Sequence, residues 1–225
     1  KVNASTSSAS SYILMDSTTG RVLMSKDMHT RRLIASITKI MTATLAIESG
    51  KLNDVVEVSP IIKEAYGSGI YIEVGEEITL KDLVYGLMLR SGNDAAMMIS
   101  EYIGGTTEEF VNMMNKKAKE LGMKETTFYN PSGLPTPSGN YSSVYDMALL
   151  TKYAMNSPVY QEIVKTKTYK VTTNKKTYLW HNKNKLLKYD YITGGKTGYT
   201  EESGRTLVST ANIDNMSLIV VTIRD

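Results

Sequence analysis

The sequence predicts an α/β fold in which an antiparallel sheet, built from both ends of the chain, is flanked by helices. Strand-like patterns lie near both termini, and segments with apolar residues at three- and four-residue spacing lie between them. The chain has 225 residues, 41% hydrophobic and 22% charged, an ordinary globular balance. That length is sufficient to bury a core. We therefore predict a single domain over residues 1–225, with a helical subdomain over about 51–160.

The N-terminal part predicts a flexible lead-in, a hairpin and a helix. Residues 1–11 are small and polar. The segments 12–16 and 21–25 flank Ser17-Thr18-Thr19-Gly20, which is typical of a hairpin turn. Apolar residues at helical spacing follow from Ser36, and Gly50 is a suitable C-terminal stop. We expect a helix between these two positions.

The rest of the chain predicts four more helices and then a run of strands. Thr106 and Glu109 fit a capping box at the start of one helix. The segment 128–142 holds three prolines and two glycines, which predicts a loop. The expected helices are 79–90, 94–103, 106–121 and 143–156, and the expected strands are 168–173, 177–180, 192–196, 205–211 and 216–223.

Composition excludes several kinds of site. The chain has no cysteine, which removes disulfides, thiolate nucleophiles and thiolate metal sites. A net charge of +3 without a dense basic stripe gives no footprint for nucleic acid, and we expect no nucleic-acid partner. No apolar run approaches the roughly 20 residues that span a bilayer. No signal peptide is visible at the start, so an exported form has lost its signal from this chain.

Three short motifs appear in order along the chain. They are Ser36-Ile37-Thr38-Lys39 at a predicted helix start, Ser91-Gly92-Asn93 between two helices, and Lys196-Thr197-Gly198 on a late strand. Each is weak alone, and Ser138-Gly139-Asn140 repeats the second. We prefer Ser91 because a turn between helices can fix its hydroxyl, whereas Ser138 lies in the proline-rich loop. The ordered combination carries the signal.

Helical geometry explains the first motif. Residues three apart share a face, so the Lys39 amine can reach the Ser36 hydroxyl. A serine becomes a good nucleophile when a neighbouring base takes its proton, and a lysine is such a base only when its pKa is lowered. Lys196 supplies the necessary cation if the late strand lies beside this helix. The helix N-terminus also offers backbone N–H groups to a developing negative charge. No histidine, metal or organic cofactor is needed.

These motifs resemble those of the low-molecular-weight penicillin-binding proteins, the serine-type D-alanyl-D-alanine carboxypeptidases. The neighbouring residues 35–42, 91–95 and 196–200 strengthen the resemblance, which covers nearly the whole chain. It implies a β-lactamase/DD-peptidase-like fold. It also implies that Ser36 is the acylated nucleophile, that Lys39 is its general base, and that Ser91 relays a proton to the leaving D-alanine.

The resemblance assigns the binding residues as well. Asn93 would hold the substrate peptide amide, and Lys196 with Thr197 would bind the terminal carboxylate. Gly198 would let strand and substrate backbones approach closely. The backbone N–H groups of Ser36 and Tyr199 would form the oxyanion hole. Arg205 is a second candidate for the carboxylate.

The function implied is removal of the terminal D-alanine from peptidoglycan stem pentapeptides through an acyl-enzyme, with β-lactam antibiotics as covalent inhibitors. It implies a bacterial, extracytoplasmic protein. Members of this family continue with a helix, a β-rich domain and often a membrane anchor. None of these follows Asp225, so we expect this chain to be a fragment with any anchor outside it.

Two rival functions remain open. A serine β-lactamase of class A carries its deacylating glutamate in an E-x-x-L-N segment, which is absent between Asn93 and Lys196. A non-catalytic β-lactam-sensing or wall-binding module would keep all three motifs, and release of D-alanine separates it from an enzyme.

Overall fold

A computed structural model describes residues 7–135 and 137–225. Its main sheet has five antiparallel strands in the order β2-β1-β11-β10-β9, so both ends of the chain form one sheet. Val221 pairs with Ile13 on one side and Val208 on the other, and Val208 pairs with Lys196. The predicted sheet is confirmed. Its strands are β1 Ser11–Asp16, β2 Val22–Lys26, β9 Ile192–Thr200, β10 Gly204–Ile213 and β11 Met216–Ile223.

Helices cover one face of this sheet. α5 packs against β1, β10 and β11, and α6 packs against β9. The buried side chains of both helices and of the inner sheet face, among them Met147, Ile163 and Val221, belong to one hydrophobic core. The helices are α1 Lys39–Glu48, α2 Leu80–Arg90, α3 Asn93–Gly104, α4 Thr107–Glu120, α5 Val144–Ala154 and α6 Pro158–Lys165.

Three pairs of short strands complete the fold. Each pair is antiparallel and forms a small sheet apart from the main one. In the β7–β8 hairpin, Tyr178 and Trp180 are buried, and Trp180 packs beside Tyr169. The pairs are β3 Arg32–Leu33 with β6 Tyr141–Ser142, β4 Val55–Glu57 with β5 Glu77–Thr79, and β7 Thr168–Thr172 with β8 Thr177–His181.

The ends of several elements differ from the prediction. The helix expected from Ser36 begins with a 3-10 turn over Ala35–Thr38, and α-helix starts only at Lys39. Gly50 has φ +72 just beyond the helix, as expected of a C-terminal stop. The strand expected to end at Lys196 continues to Thr200, and α6 was not predicted although Ser157 caps it and Pro158 begins it.

The prediction of a flexible lead-in is wrong for residues 9–11. Residues 1–6 lie outside the described part of the chain. Ala9 and Ser11 are fully buried, and the Ser10 N–H donates to the Arg224 carbonyl, which extends the pairing of β1 with β11. Small residues at the N-terminus pack against the last strand here. Within residues 7–135 and 137–225, no helix is both long and apolar enough to cross a membrane.

Candidate active site

The chain around Ser36 is held from two sides. Ala35 has φ +47, an uncommon left-handed conformation for a residue with a side chain. Gly133 of the proline-rich loop lies so close that an added Cβ would be 1.9 Å from the Ala35 carbonyl oxygen. From the sheet, Thr206 Oγ1 on β10 donates a hydrogen bond of 3.1 Å to the Ile34 carbonyl. These contacts fix the backbone that presents the Ser36 hydroxyl.

Lys39 lies beneath Ser36 and is fully buried. Its Nζ atom is 3.1 Å from Ser36 Oγ, 2.7 Å from Asn93 Oδ1 and 2.6 Å from the Ser132 carbonyl oxygen. A neutral amine has two N–H donors and one lone pair. With Asn93 and Ser132 taking the two donors, the lone pair is left for the proton of the Ser36 hydroxyl. This arrangement suits a general base.

The surroundings also favour the neutral form of the Lys39 amine. Burial lowers the pKa of its amine well below the ordinary value, and the positive charges of Lys196 and Lys183 lower it further. The carboxylate of Asp94 opposes this effect. Lowering the pKa increases the fraction of unprotonated amine, which is the form that can accept a proton.

Ser91 and Lys196 form a second hydroxyl–amine pair. Ser91 ends helix α2 in the left-handed conformation, with φ +61, and is 5% exposed. Lys196 Nζ donates to Ser91 Oγ at 3.1 Å and to the Thr197 carbonyl at 2.6 Å. Burial, followed by the charge of Lys183, lowers the pKa of Lys196 to about 7. This amine therefore titrates near neutral pH.

Asn93 begins helix α3 and is engaged at both ends of its amide. Its Oδ1 accepts from Lys39, and its Nδ2 donates to the Tyr66 carbonyl at 2.6 Å. The Asn93 main-chain N–H donates to the Ser68 carbonyl at 2.7 Å. Asn93 thus joins the buried base to the loop that carries Tyr66 and Ser68.

Strand β9 lies directly against the start of the nucleophile segment. A Cβ added to Gly198 would be 2.4 Å from Thr206 Oγ1 and 2.9 Å from the Ser36 nitrogen, so only glycine permits this approach. Tyr199 follows with its side chain 62% exposed. Its cross-strand partner is Arg205, whose guanidinium lies 5.9 Å from the ring centroid.

These elements surround a cleft of about 490 Å³. Three of the predicted residues, Lys39, Asn93 and Lys196, are buried. Lys39 donates to Asn93, and Lys196 donates to Ser91. The structure thus brings together all nine residues predicted for the site. Six of them line the cleft: Ser36, Ser91, Thr197, Gly198, Tyr199 and Arg205.

The second Ser-Gly-Asn sequence lies elsewhere in the loop of residues 128–142. Ser138 is exposed. Asn140 is buried, and its Nδ2 donates to Thr38 Oγ1 at 3.0 Å and to the Asn130 carbonyl at 2.8 Å. This asparagine links the proline-rich loop to the turn that precedes Lys39, and it is not part of the cleft.

Sequence reasoning missed several contributors to the site, among them Ser132, Ser68 and Lys183. The Ser132 carbonyl binds Lys39, and Ser68 and Lys183 line the cleft, with Lys183 Nζ 3.1 Å from Ser68 Oγ. A carbonyl contributes no side-chain signal, and the sequence gives no spacing by which Ser68 could be found. In the described part of the chain, no group of three or more His, Asp or Glu side chains is placed to hold a metal ion.

The sequence matches the peptidase S11 family, D-alanyl-D-alanine carboxypeptidase, over residues 1–225. The chain belongs to this family. The expected resemblance to the low-molecular-weight D-alanyl-D-alanine carboxypeptidases is thereby confirmed.

Members of the family resemble the chain in sequence and in structure. D-alanyl-D-alanine carboxypeptidase DacF of Bacillus subtilis is 44% identical over 95% of the chain, and DacC of Escherichia coli is 35% identical over 98%. The chain covers 56% and 57% of these two relatives, little more than half their length.

Two solved structures show the same fold. A D-alanyl-D-alanine carboxypeptidase from Mycobacterium tuberculosis superposes with a TM-score of 0.92 at 30% identity, over 96% of this chain and 82% of that one. A mutant of the Streptomyces K15 DD-transpeptidase superposes with a TM-score of 0.93 at 31% identity, over 97% and 91%.

Proposed function

We propose that this protein is a serine-type carboxypeptidase that removes the terminal D-alanine from peptidoglycan stem peptides. The observation that carries the proposal is the buried Lys39 amine, which lies 3.1 Å from Ser36 Oγ and has a strongly lowered pKa. Relatives named D-alanyl-D-alanine carboxypeptidases supply the substrate class.

In the acylation step, Ser36 Oγ attacks the carbonyl carbon between the last two D-alanines while Lys39 takes the hydroxyl proton. The resulting oxyanion is held by the main-chain N–H groups of Ser36 and Tyr199. When the carbon–nitrogen bond breaks, Ser91 passes its proton to the leaving amine of D-alanine and receives in exchange the proton held by Lys39, so the Lys39 amine is neutral again. The shortened peptide remains as an ester on Ser36.

In the deacylation step, water attacks this ester and gives a proton to the neutral Lys39 amine. When the ester bond breaks, Lys39 returns this proton to the Ser36 oxygen, and the shortened peptide leaves with a new carboxyl end. A β-lactam follows the same first step because its ring amide takes the place of the scissile peptide bond.

In this proposal the substrate is bound by residues of strand β9 and by Asn93 at the start of helix α3. The terminal carboxylate is bound by Lys196 and Thr197, with Arg205 as a second partner. Asn93 holds a peptide amide of the substrate, which requires its present bonds to Lys39 or Tyr66 to be shared or exchanged. Gly198 lets the substrate backbone lie along β9.

The proposed chemistry takes place where peptidoglycan is found, outside the cytoplasm. We further propose that residues 1–225 act as one penicillin-recognising catalytic domain, with a helical subdomain over about 51–160. A membrane anchor outside this chain stays a prediction.

The test is intact mass over time after mixing with excess benzylpenicillin, followed by peptide mapping. A lasting adduct of one penicillin on Ser36 supports the nucleophile, and D-alanine release from a peptide ending in D-Ala-D-Ala supports the carboxypeptidase. Ser36→Ala is expected to lose both. Penicillin hydrolysis without a lasting adduct would indicate a β-lactamase, and an adduct without D-alanine release would indicate a sensor.

A further inference from the structure

The two lysines of the known motifs are poorly placed to attract an anion from solvent. Lys39 and Lys196 are 0% and 2% exposed, and both have lowered pKa values. At neutral pH a substantial fraction of Lys196 is unprotonated because its pKa is about 7. A substrate that carries a carboxylate is therefore attracted more strongly by a cation at the surface of the cleft.

Lys183 is such a cation. It is exposed and lines the cleft together with Ser36 and Ser91. The pKa of its amine is lowered by partial desolvation and by the charge of Arg90, which agrees with its place in the lining of the cleft. Its charge in turn lowers the pKa of Lys39 and Lys196, the amines that lie against Ser36 and Ser91.

The position of Lys183 is fixed by its main chain and its side chain. Its N–H donates to the Leu89 carbonyl at 3.0 Å, beside the last turn of the helix that ends at Ser91. Its Nζ donates to Ser68 Oγ at 3.1 Å. Among the described residues, Ser68 is the only acceptor for this amine, so two of its three N–H donors remain for a ligand. Because Ser68 accepts from Lys183, its own hydroxyl proton can also point to that ligand.

We propose that Lys183 and Ser68 form an additional carboxylate-binding position for the substrate peptide, separate from Lys196 and Thr197. The ammonium, the hydroxyl and the absence of a carboxylate bonded to Lys183 in the described part of the chain all favour an anion. The carboxylate is either the C-terminal one of the last D-alanine or one on a preceding side chain. This inference rests on the proposed carboxypeptidase function.

The experiment compares Lys183→Gln, Lys183→Arg and the control Lys188→Gln. Lys188 is also exposed, and its replacement by glutamine removes the same charge. Its amine lies over the Tyr189 ring and not in the cleft. Three peptides are used: one ending in D-Ala-D-Ala with uncharged side chains, the same peptide with an acidic side chain, and the uncharged peptide ending in D-alaninamide.

Lys183→Gln is expected to raise KM about tenfold for a peptide with the recognised carboxylate, with kcat little changed. Lys183→Arg is expected to retain most of the affinity because the charge remains. Removing the Lys183 charge also raises the pKa of Lys196, so the alkaline limb of kcat/KM is expected to move to higher pH. Lys183→Arg keeps the charge and is expected to leave this limb unchanged.

The peptides identify the carboxylate. If KM rises for the peptide with uncharged side chains that ends in D-Ala-D-Ala but not for the one that ends in D-alaninamide, the position binds the terminal carboxylate. If KM rises only for the peptide with an acidic side chain, the position binds that side chain. An equal effect on all three peptides, or none on any, overturns the inference. If Lys183→Gln does not fold, Ser68→Ala is measured with the same peptides, and the same selectivity is expected.

Failure of the proposed function would look different. In that case the wild type and Lys188→Gln would release no D-alanine. Acylation by benzylpenicillin, which carries a carboxylate, would then test the position without turnover. A rate constant in Lys183→Gln about tenfold below that of Lys188→Gln is expected if the position binds the terminal carboxylate, and equal rate constants would overturn that assignment.

Discussion

The Nζ atom of Lys196 on β9 lies 3.1 Å from the Oγ atom of Ser91 at the end of α2. The contact joins two motifs that are 105 residues apart. Because the pKa of Lys196 is lowered to about 7, this hydrogen bond can have either direction near neutral pH. An ammonium donates to the Ser91 oxygen, and a neutral amine accepts the Ser91 proton. The proposed proton relay through Ser91 would therefore depend on the charge of Lys196.

The first prediction concerns pH. In the proposed function Lys196 binds the substrate carboxylate as an ammonium, so kcat/KM is expected to fall as pH rises through about 7, the pKa of this group in the free enzyme. Bound carboxylate favours the charged amine, so the corresponding limb in kcat lies at higher pH. Lys196→Arg keeps its charge at every working pH and is expected to lose this limb. Initial rates of D-alanine release between pH 5 and about 10 check it, and an unchanged alkaline limb in the arginine variant would assign the limb to another group.

The second prediction separates the two Ser-Gly-Asn sequences. Ser91→Gly removes the hydroxyl, and glycine accepts the φ of +61 found there. D-alanine release is expected to fall by about 100-fold or more, because proton transfer to the leaving amine is lost. Ser138→Ala is the matched control, since that serine is exposed outside the cleft, and its rate is expected to stay within about twofold of wild type. Comparable losses in both variants would contradict the assignment of Ser91.

Much of the fold could be predicted because its signals are local. Apolar spacing predicted five of the six α-helices, and the strand patterns at both ends predicted the sheet, which the structure confirms. The motif order predicted which segments meet at the site. Gly50 follows the end of α1 and Thr106 caps the start of α4, as the sequence predicts. The Thr106 Oγ1 atom accepts from the Glu109 N–H at 3.1 Å.

The remainder depends on contacts between distant segments. The left-handed Ala35 and the 3-10 turn after it are imposed by Gly133 and Thr206, which are remote in sequence. The burial of Ala9 depends on pairing with the last strand. Lys183 is one lysine among many in its segment, and only the folded chain brings it next to Ser68. Local periodicity contains no information on such contacts.

The third prediction concerns the approach of β9 to Ser36. In Gly198→Ala, the new methyl would lie 2.4 Å from Thr206 Oγ1 and 2.9 Å from the Ser36 nitrogen, so the strand must move away. Benzylpenicillin acylation is expected to slow by about 100-fold, since a displacement of about 1 Å misplaces the oxyanion hole. Stopped-flow acylation and thermal unfolding are measured together.

Thr206→Ala, alone and combined with Gly198→Ala, is the control for the third prediction. It removes the clash with the Thr206 hydroxyl but not the one with the Ser36 backbone. The double variant is therefore expected to recover stability relative to the additive sum while acylation stays slow. Full recovery of the acylation rate would show that the Ser36 backbone is not the limiting contact.

The last prediction concerns stability away from the cleft. Asp146 on α5 is fully buried, its Oδ1 has no hydrogen-bond partner among the described residues, and burial raises its pKa to about 6. Because this value exceeds the roughly 3.9 of an unfolded aspartate, the folded state binds more protons between these pH values, and the free energy of unfolding falls as pH rises through them.

Asp146→Asn removes the buried charge and is expected to raise the free energy of unfolding by about 1 kcal/mol at pH 8, with the gain vanishing near pH 4. Urea unfolding at both pH values measures this, and Asp190→Asn, an exposed carboxylate with the same change in net charge, is expected to show no such pH-dependent gain. A variant that is less stable than wild type at pH 8 would mean that the Asp146 carboxylate contributes more through its bonds to Thr126 and the Glu125 N–H than its burial costs.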